Sequence, residues 1–420
     1  MSLSFPPASS TTVCVAGGGP AGVMLAYLLA RKGIAVTLLE GAADFKREFR
    51  GDTLQPAVLE ALEQLGLADA LHALPHIKAP SFRYHTSEGP FAIYDLREIR
   101  TRFPYIMLIH QPAFLQFMIE QARTFSGFEL RMESRVEGLI EEQGAVRGVR
   151  YRQNDQLHEL RAELTIGADG RFSKVRQLAN PEIVRLSPGA DVLWFRLPRT
   201  ASDPASAETE IFLGDRNYVA MLERDDHWQV GYSIGKGEFK AVKERGLEPI
   251  RTFVRDRIPW LADRIDQLLD WKQVTLLNVE ILRAKRWYKP GLLLLGDAAH
   301  VISPTGGLGI NVAVQDAIAA ANILTAPLLE HRMTTADLAA VQQRRGWKVA
   351  LIQLIQARIE QGNSKAFELA RGSRPPAVLK FLRAIPWLKQ APGRLTAYGV
   401  RPERLSAAWL QIEEKRAVAA

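Results

Sequence analysis

The stretch VCVAGGGPAGVMLAYLLARKGIAVTLLEG, residues 13–41, decides the fold. TVCVAG is a short β-branched run ending in glycine, AGVMLAYLLARKG shows helical spacing and closes on Gly33, and IAVTLLE is a second buried run. Together they read as a βαβ unit. Its turn carries Gly17, Gly19 and Gly22 at the G-x-G-x-x-G spacing, with Pro20 and Ala21 between the last two. The first glycine permits a tight turn, the second lets backbone approach a pyrophosphate, and the third lets helix and strand pack closely. Backbone N–H groups at the helix start then hold phosphate without a lysine. Glu40 ends the second strand 18 residues after Gly22. A carboxylate there bonds a ribose 2′-hydroxyl and repels a 2′-phosphate, so the turn suits the ADP of FAD or NAD over that of NADP.

Two later segments separate FAD from NAD. LTIGADGRFSKVRQLA, residues 164–179, reads as a strand, an Asp169–Gly170 turn and a helix capped by Ser173. GLLLLGDAAHVISPTGGLGINVAVQDAIAAANIL, residues 291–324, opens with a buried four-leucine strand. Asp297 stands at that strand's C-terminal end, where open α/β sheets bind ligands, and a glycine-rich loop leads into a second long helix. An acid there can bond the polyol between pyrophosphate and ring. The helix start at Gly309, Ile310 and Asn311 directs partial positive charge beyond it, which suits the anionic N1–C2 edge of reduced flavin.

These three segments resemble those of the single-component flavoprotein aromatic hydroxylases, the family of para-hydroxybenzoate hydroxylase, over roughly residues 10–345. GGGPAG, ADGRFSKVR and GDAAHVISPTGGLGINVAVQDA match that family's dinucleotide fingerprint, its Asp-Gly motif and its Gly-Asp motif with proline and glycine-rich loop. In FRGDTLQPAVLEALEQLGL, Arg50 resembles the arginine against the FAD ribose and ring edge. In IHQPAFLQFMI, Gln111 resembles a glutamine on the ribityl and phosphate region. The resemblance implies a cycle in which NADH or NADPH, visiting transiently, reduces FAD. O₂ then adds at the flavin C4a, and the resulting hydroperoxide transfers one oxygen to an aromatic or lipophilic unsaturated substrate. It also implies FAD contacts at Gly17, Gly19, Pro20, Ala21, Gly22, Glu40, Arg50, Gln111, Asp169, Asp297, Gly309, Ile310 and Asn311, with Pro304, Gly307 and Arg50 at the reacting edge. Pro304 supplies a carbonyl and no donor, and the glycines of SPTGGLG permit close backbone approach.

The expected fold is α/β: a Rossmann-like FAD-binding domain formed by residues 1–72, 101–180 and 286–345. A mainly antiparallel substrate-binding sheet formed by 73–100 and 181–285 is inserted into it, and 346–420 form a C-terminal helical region. DVLWFRLPR, NYVAMLERDD and WQVGYSIGKG read as strands, and FRYHTSEGPFAIYDL as a hairpin around Glu88–Gly89. Trp194, Arg196, Tyr218 and Tyr232 are the substrate candidates on this sheet. Alternation puts Trp194 and Arg196 on one face and Leu193, Phe195 and Leu197 on the other, without saying which face meets the substrate.

The chain has 420 residues and is 47% hydrophobic and 24% charged, an ordinary globular composition. One cysteine, Cys14, sits in the first strand and reads as a buried thiol in a reducing compartment. The leader MSLSFPPASST has no basic start or apolar core, and no unbroken run of about 18 apolar residues occurs, so a cytoplasmic protein is expected. The net charge of +8 gathers at one end, where residues 331–420 hold 16 Lys and Arg against 6 Asp and Glu. No nucleic-acid signature accompanies it. VLKFLRAIPWLKQ, residues 378–390, suits either a membrane interface or a helical cap with a solvated basic face, and Pro386 favours the cap. The eight histidines have no metal-ligand spacing, His300 reads as a helix-start or packing residue, and no nucleophile elbow occurs. A flavin reductase of the geranylgeranyl-reductase type and a non-catalytic flavin-binding protein stay open beside the monooxygenase.

Overall fold

A computed structural model of the chain describes residues 9–45, 52–86, 88–186, 189–204, 209–214, 217–224, 226–369, 385 and 389–414. Its first sheet has eight strands. The central order is Tyr288–Lys289, Leu292–Leu294, Gln156–Gly167, Ser9–Ala16, Val36–Leu39, Phe128–Arg131, and Ala145–Gln153 and Arg135–Glu142 extend antiparallel from Gln156–Gly167. The inner pairs are parallel, and their register aligns four strand ends in one row. Ala16 lies beside both Gly167 and Leu39, and Gly167 lies beside Leu294. The segments leaving those ends therefore emerge side by side: the glycine turn after Ala16, Glu40 after Leu39, Asp169 after Gly167, and Asp297 after Leu294. This is the carboxyl edge at which parallel sheets bind ligands.

Two helices complete the core against this sheet. Pro20–Arg31 is buried from Ala21 to Ala30, with Gly33 in the left-handed region at φ 82° just past its end. Gly309–Leu329 packs along it and is buried over most of its length. Gly309–Leu329 is long and apolar enough to cross a membrane, but 78% of its apolar window is buried, which marks a core helix. The stretch escapes a search for unbroken apolar runs because Asn311, Gln315, Asp316 and Asn322 interrupt it.

A second sheet of seven strands has the order Thr275–Leu277, Ala190–Pro198, His227–Gly235, Tyr218–Glu223, Thr209–Leu213, Ser81–Thr86, Gly89–Asp95. It contains the three expected strands and the expected hairpin, plus two strands outside the sequence reading: Thr209–Leu213, which pairs parallel to Ser81–Thr86, and Thr275–Leu277 at the edge beside Ala190–Pro198. Leu193, Phe195, Val219, Met221, Val230 and Tyr232 face a separate core closed by helices Phe239–Arg245 and Glu248–Arg257. At the end of strand Tyr218–Glu223, buried Arg224 pairs with Asp52 at 2.8 Å, and Asp52 also accepts the N–H of Gln111 at the start of helix Gln111–Ala122 at 3.2 Å.

The C-terminal region begins with one helix, Thr335–Leu369, which runs through the division expected at residue 345. Leu338, Val341, Val349 and Ile352 on it, and Leu405 and Trp409 after it, belong to the main core, so this part of the chain caps the cofactor domain. Residues 378–384 and 386–388 lie outside the described residues.

Candidate active site

One cavity of about 540 Å³ runs along the aligned strand ends. Its wall includes Gly17, Gly19, Pro20, Ala21, Glu40, Gln111, Asp169, Asp297, Pro304, Gly307, Gly309 and Ile310, twelve of the residues singled out from sequence. The three glycines of the turn differ in what a side chain would meet. Gly17 sits at φ +107° with a Cβ position 2.5 Å from the Ala168 carbonyl, and at Gly22 a Cβ would stand 2.0 Å from the Gly17 carbonyl. Both are closed by the protein itself. At Gly19 the nearest protein atom is 3.9 Å away, and at Gly309 nothing lies within 4 Å, so these two leave backbone open toward the cavity.

Helix Pro20–Arg31 has Gly19 at its N-cap and helix Gly309–Leu329 has Leu308, and neither receives a side-chain cap. The free N–H groups and positive ends of two helices thus meet one cavity, an arrangement built for a ligand with two electron-rich ends. Glu40 is buried with one carboxylate oxygen accepting the Gly18 N–H and the other the Ala42 N–H, each at 2.9 Å, which fixes it at the edge of the cavity. Asp169 accepts the Ser173 hydroxyl and, at 3.0 Å, the Val175 N–H, while Ser173 caps its helix by accepting the Arg176 N–H at 2.9 Å. Burial pushes the Asp169 carboxyl up, against those hydrogen bonds. Arg176 reaches across to donate to the carbonyls of Asp297 and Ala298, both at 2.9 Å, and so ties the Asp-Gly turn to the Gly-Asp turn.

Between Asp297 and the second helix, the Pro304 carbonyl accepts the Gly307 N–H at 2.9 Å and closes a turn. One lone pair of the expected Pro304 acceptor is therefore already engaged. His300 is not at a helix start. It lies in the short strand His300–Val301, buried, with Nε2 2.6 Å from Asp316. Burial would raise the Asp316 carboxyl, but the adjacent His300 and Arg345 hold it below the usual range.

The remaining expected residues do not line this wall among the described residues, Gly22 holding the packing place its motif position implies. Arg50 lies outside the described residues. Gly22 is in helix–strand packing, and Asn311 is fully buried, its Oδ1 accepting the Gln315 amide at 2.9 Å. Tyr232 is in the second core against the Phe253 ring, and Arg196 is exposed near Asp226, so neither reaches the cavity. Trp194 and Tyr218 occupy the opposite sheet face, where the Trp194 ring fills the space a Cβ on Gly231 would take. Burial raises the Tyr218 hydroxyl, and the Glu360 carboxylate and Tyr84 add to that, but neither Trp194 nor Tyr218 lines the cavity. Arg135, Arg171, Phe172 and Lys174 also line the cavity, with Phe172 69% exposed at its mouth. Three of them lie inside the Asp-Gly segment, but nothing in the spacing separates a cavity-facing side chain from a solvated one.

The cavity, the open glycines and the paired helix starts fit FAD. The sequence profile of an FAD binding domain matches residues 10–353. The chain belongs to the FAD-dependent aromatic-hydroxylase type of monooxygenase. It is 34% identical over 394 residues to 6-methylpretetramide 4-monooxygenase of Streptomyces rimosus, covering 90% of this chain and 93% of that one. Among solved structures, p-nitrophenol 4-monooxygenase from Pseudomonas putida superposes with a TM-score of 0.73 at 22% identity, covering 93% of this chain and 96% of the other. The anhydrotetracycline hydroxylase from Streptomyces rimosus gives a TM-score of 0.73 at 21% identity, covering 94% and 77%. At such identities the structural likeness is one of fold. This FAD-dependent monooxygenase is an oxidoreductase, so a non-catalytic flavin binder is set aside. The relatives, oxygenases by name, lend no support to a reductase.

Proposed function

We propose that this monooxygenase uses NADH or NADPH to place one oxygen atom of O₂ on an electron-rich ring of a fused polycyclic phenol. The observation that carries the substrate class is the 34% identity, spanning 90% of the chain, with an enzyme named for 6-methylpretetramide. FAD, when bound, supplies the redox chemistry by accepting hydride and activating O₂. The chain's own residues divide the remaining work. The Gly17–Gly19 turn and Glu40 hold the ADP end, Gln111 and Asp297 the ribityl chain, and the helix start at Gly309 the pyrimidine edge, where developing negative charge meets fixed N–H dipoles. The turn at Pro304 excludes water from the opposite edge.

Oxidation of NADH and of NADPH by the FAD-loaded protein, followed together with O₂ uptake, tests this against a panel of single-ring and fused-ring phenols. Fused-ring phenols should accelerate both severalfold with little hydrogen peroxide, and single-ring phenols should act weakly. Acceleration by single-ring phenols alone would refute the substrate class.

A further inference from the structure

The 303–307 loop is gripped from two sides by residues distant in the chain. On helix Thr335–Leu369, the buried Gln356 amide donates to the carbonyls of Ser303 at 3.1 Å and Thr305 at 2.9 Å, and its oxygen accepts the Ser303 N–H at 3.2 Å. One turn further along, the Glu360 carboxylate accepts the hydroxyls of Ser303 and Thr305, the latter at 3.1 Å. Its second oxygen accepts the Gly189 N–H at 3.1 Å, at the entry to strand Ala190–Pro198 of the second sheet. From the other side, Thr53 and Gln55 donate to the Gly307 carbonyl.

Pro304 lies between the two grips and has no N–H of its own. A buried side-chain amide that bonds three backbone groups of one loop is satisfied by one placement of that loop, and any shift leaves buried polar groups without partners. The i, i+4 spacing puts Gln356 and Glu360 on the same face of the helix. Helix Gly309–Leu329 starts four residues after Thr305, so fixing the loop also fixes where its positive end points.

We propose that Gln356 and Glu360 are positioning residues for the flavin edge: they set the Pro304 turn and, through it, the helix start at Gly309. This rests on the reading of that loop as the wall beside the flavin, and it makes the basic C-terminal region part of the active-site frame. The test is the midpoint potential of bound FAD, measured by dye equilibration, with FAD stoichiometry and Tm recorded alongside. Gln356→Leu changes no charge and should lower the potential while FAD stays bound, because a loosened helix start stabilises anionic reduced flavin less well. Glu360→Gln and Glu360→Ala lose the same charge, but only the first keeps an acceptor for both hydroxyls. Glu360→Ala should therefore fall below Glu360→Gln. If Gln356→Leu does not fold, that pair decides alone. Gly309→Asp separates the two levels of the argument: a carboxylate at the helix start should lower the potential whatever holds the loop. An unmoved potential in Gly309→Asp refutes the loop's placement beside the flavin. A lowered potential there, with Gln356→Leu at the wild-type value and the two Glu360 variants equal, refutes the positioning role alone.

Discussion

Gly19 and Gly22 stand three residues apart in one motif and have opposite reasons for being glycine. A Cβ on Gly22 would sit 2.0 Å from the Gly17 carbonyl, whereas one on Gly19 meets no protein atom nearer than 3.9 Å. Gly19→Val should therefore fold with a near-wild-type Tm yet purify without stoichiometric FAD, because the side chain enters space reserved for phosphate. Gly22→Ala should lose about 1–3 kcal/mol or more of stability from overpacking alone, seen as a lower denaturant midpoint in the FAD-free protein. If Gly19→Val keeps its yellow colour, the pyrophosphate does not lie on this turn. The motif spacing made both glycines legible, but it could not foresee that Glu40 is held in place by the Gly18 and Ala42 N–H groups. Alternation likewise puts Trp194 and Leu193 on opposite faces without showing which of them helices Phe239–Arg245 and Glu248–Arg257 cover, since that depends on how later chain folds back over strand Ala190–Pro198.

At the scale of elements, the Gly-Asp strand and the two C-terminal helices are knitted together by Asp316. It accepts His300 Nε2 at 2.6 Å, Arg345 Nε at 2.7 Å and the Gly296 N–H at 3.2 Å, all buried. Removing one partner of a buried charge pair is costly, so Asp316→Asn should lose about 3–5 kcal/mol, read from denaturant unfolding. The pH dependence has a definite sign. The folded Asp316 carboxyl is held below its usual value, so its stabilisation is fully present above the unfolded pKa of about 3.9 and is lost as pH falls through the lower folded value. Tm measured against pH should fall less steeply below about pH 4 in Asp316→Asn than in wild type. Equal acid slopes would contradict the role given to this carboxylate. The helices themselves were legible from apolar spacing and glycine stops. The contacts of Gln356 and Glu360 with the 303–305 turn were not, because the partners are over 50 residues apart and neither type marks a site by itself.

For the whole molecule, parallel register is what turns a set of sequence motifs into a site. Ala16, Leu39, Gly167 and Leu294 end in one row, so segments separated by more than 250 residues line one cavity. The doubly wound pattern and the inserted sheet could be read from strand and turn signals. Thr209–Leu213 could not, since a five-residue strand paired parallel to a distant hairpin leaves no local signature. The basic excess after residue 331 reads differently once folded: part of it, Arg345 and Lys348, is buried in ion pairs with Asp316 and Glu403. This cavity is proposed to hold FAD for oxygen transfer to a ring. The most direct measurement is the mass of the product formed from a fused-ring phenol by the FAD-loaded protein with a nicotinamide donor under ¹⁸O₂ in unlabelled water. A single ¹⁸O atom in the hydroxylated product is predicted. A product carrying oxygen from water, or substrate reduced with no O₂ consumed, would contradict it.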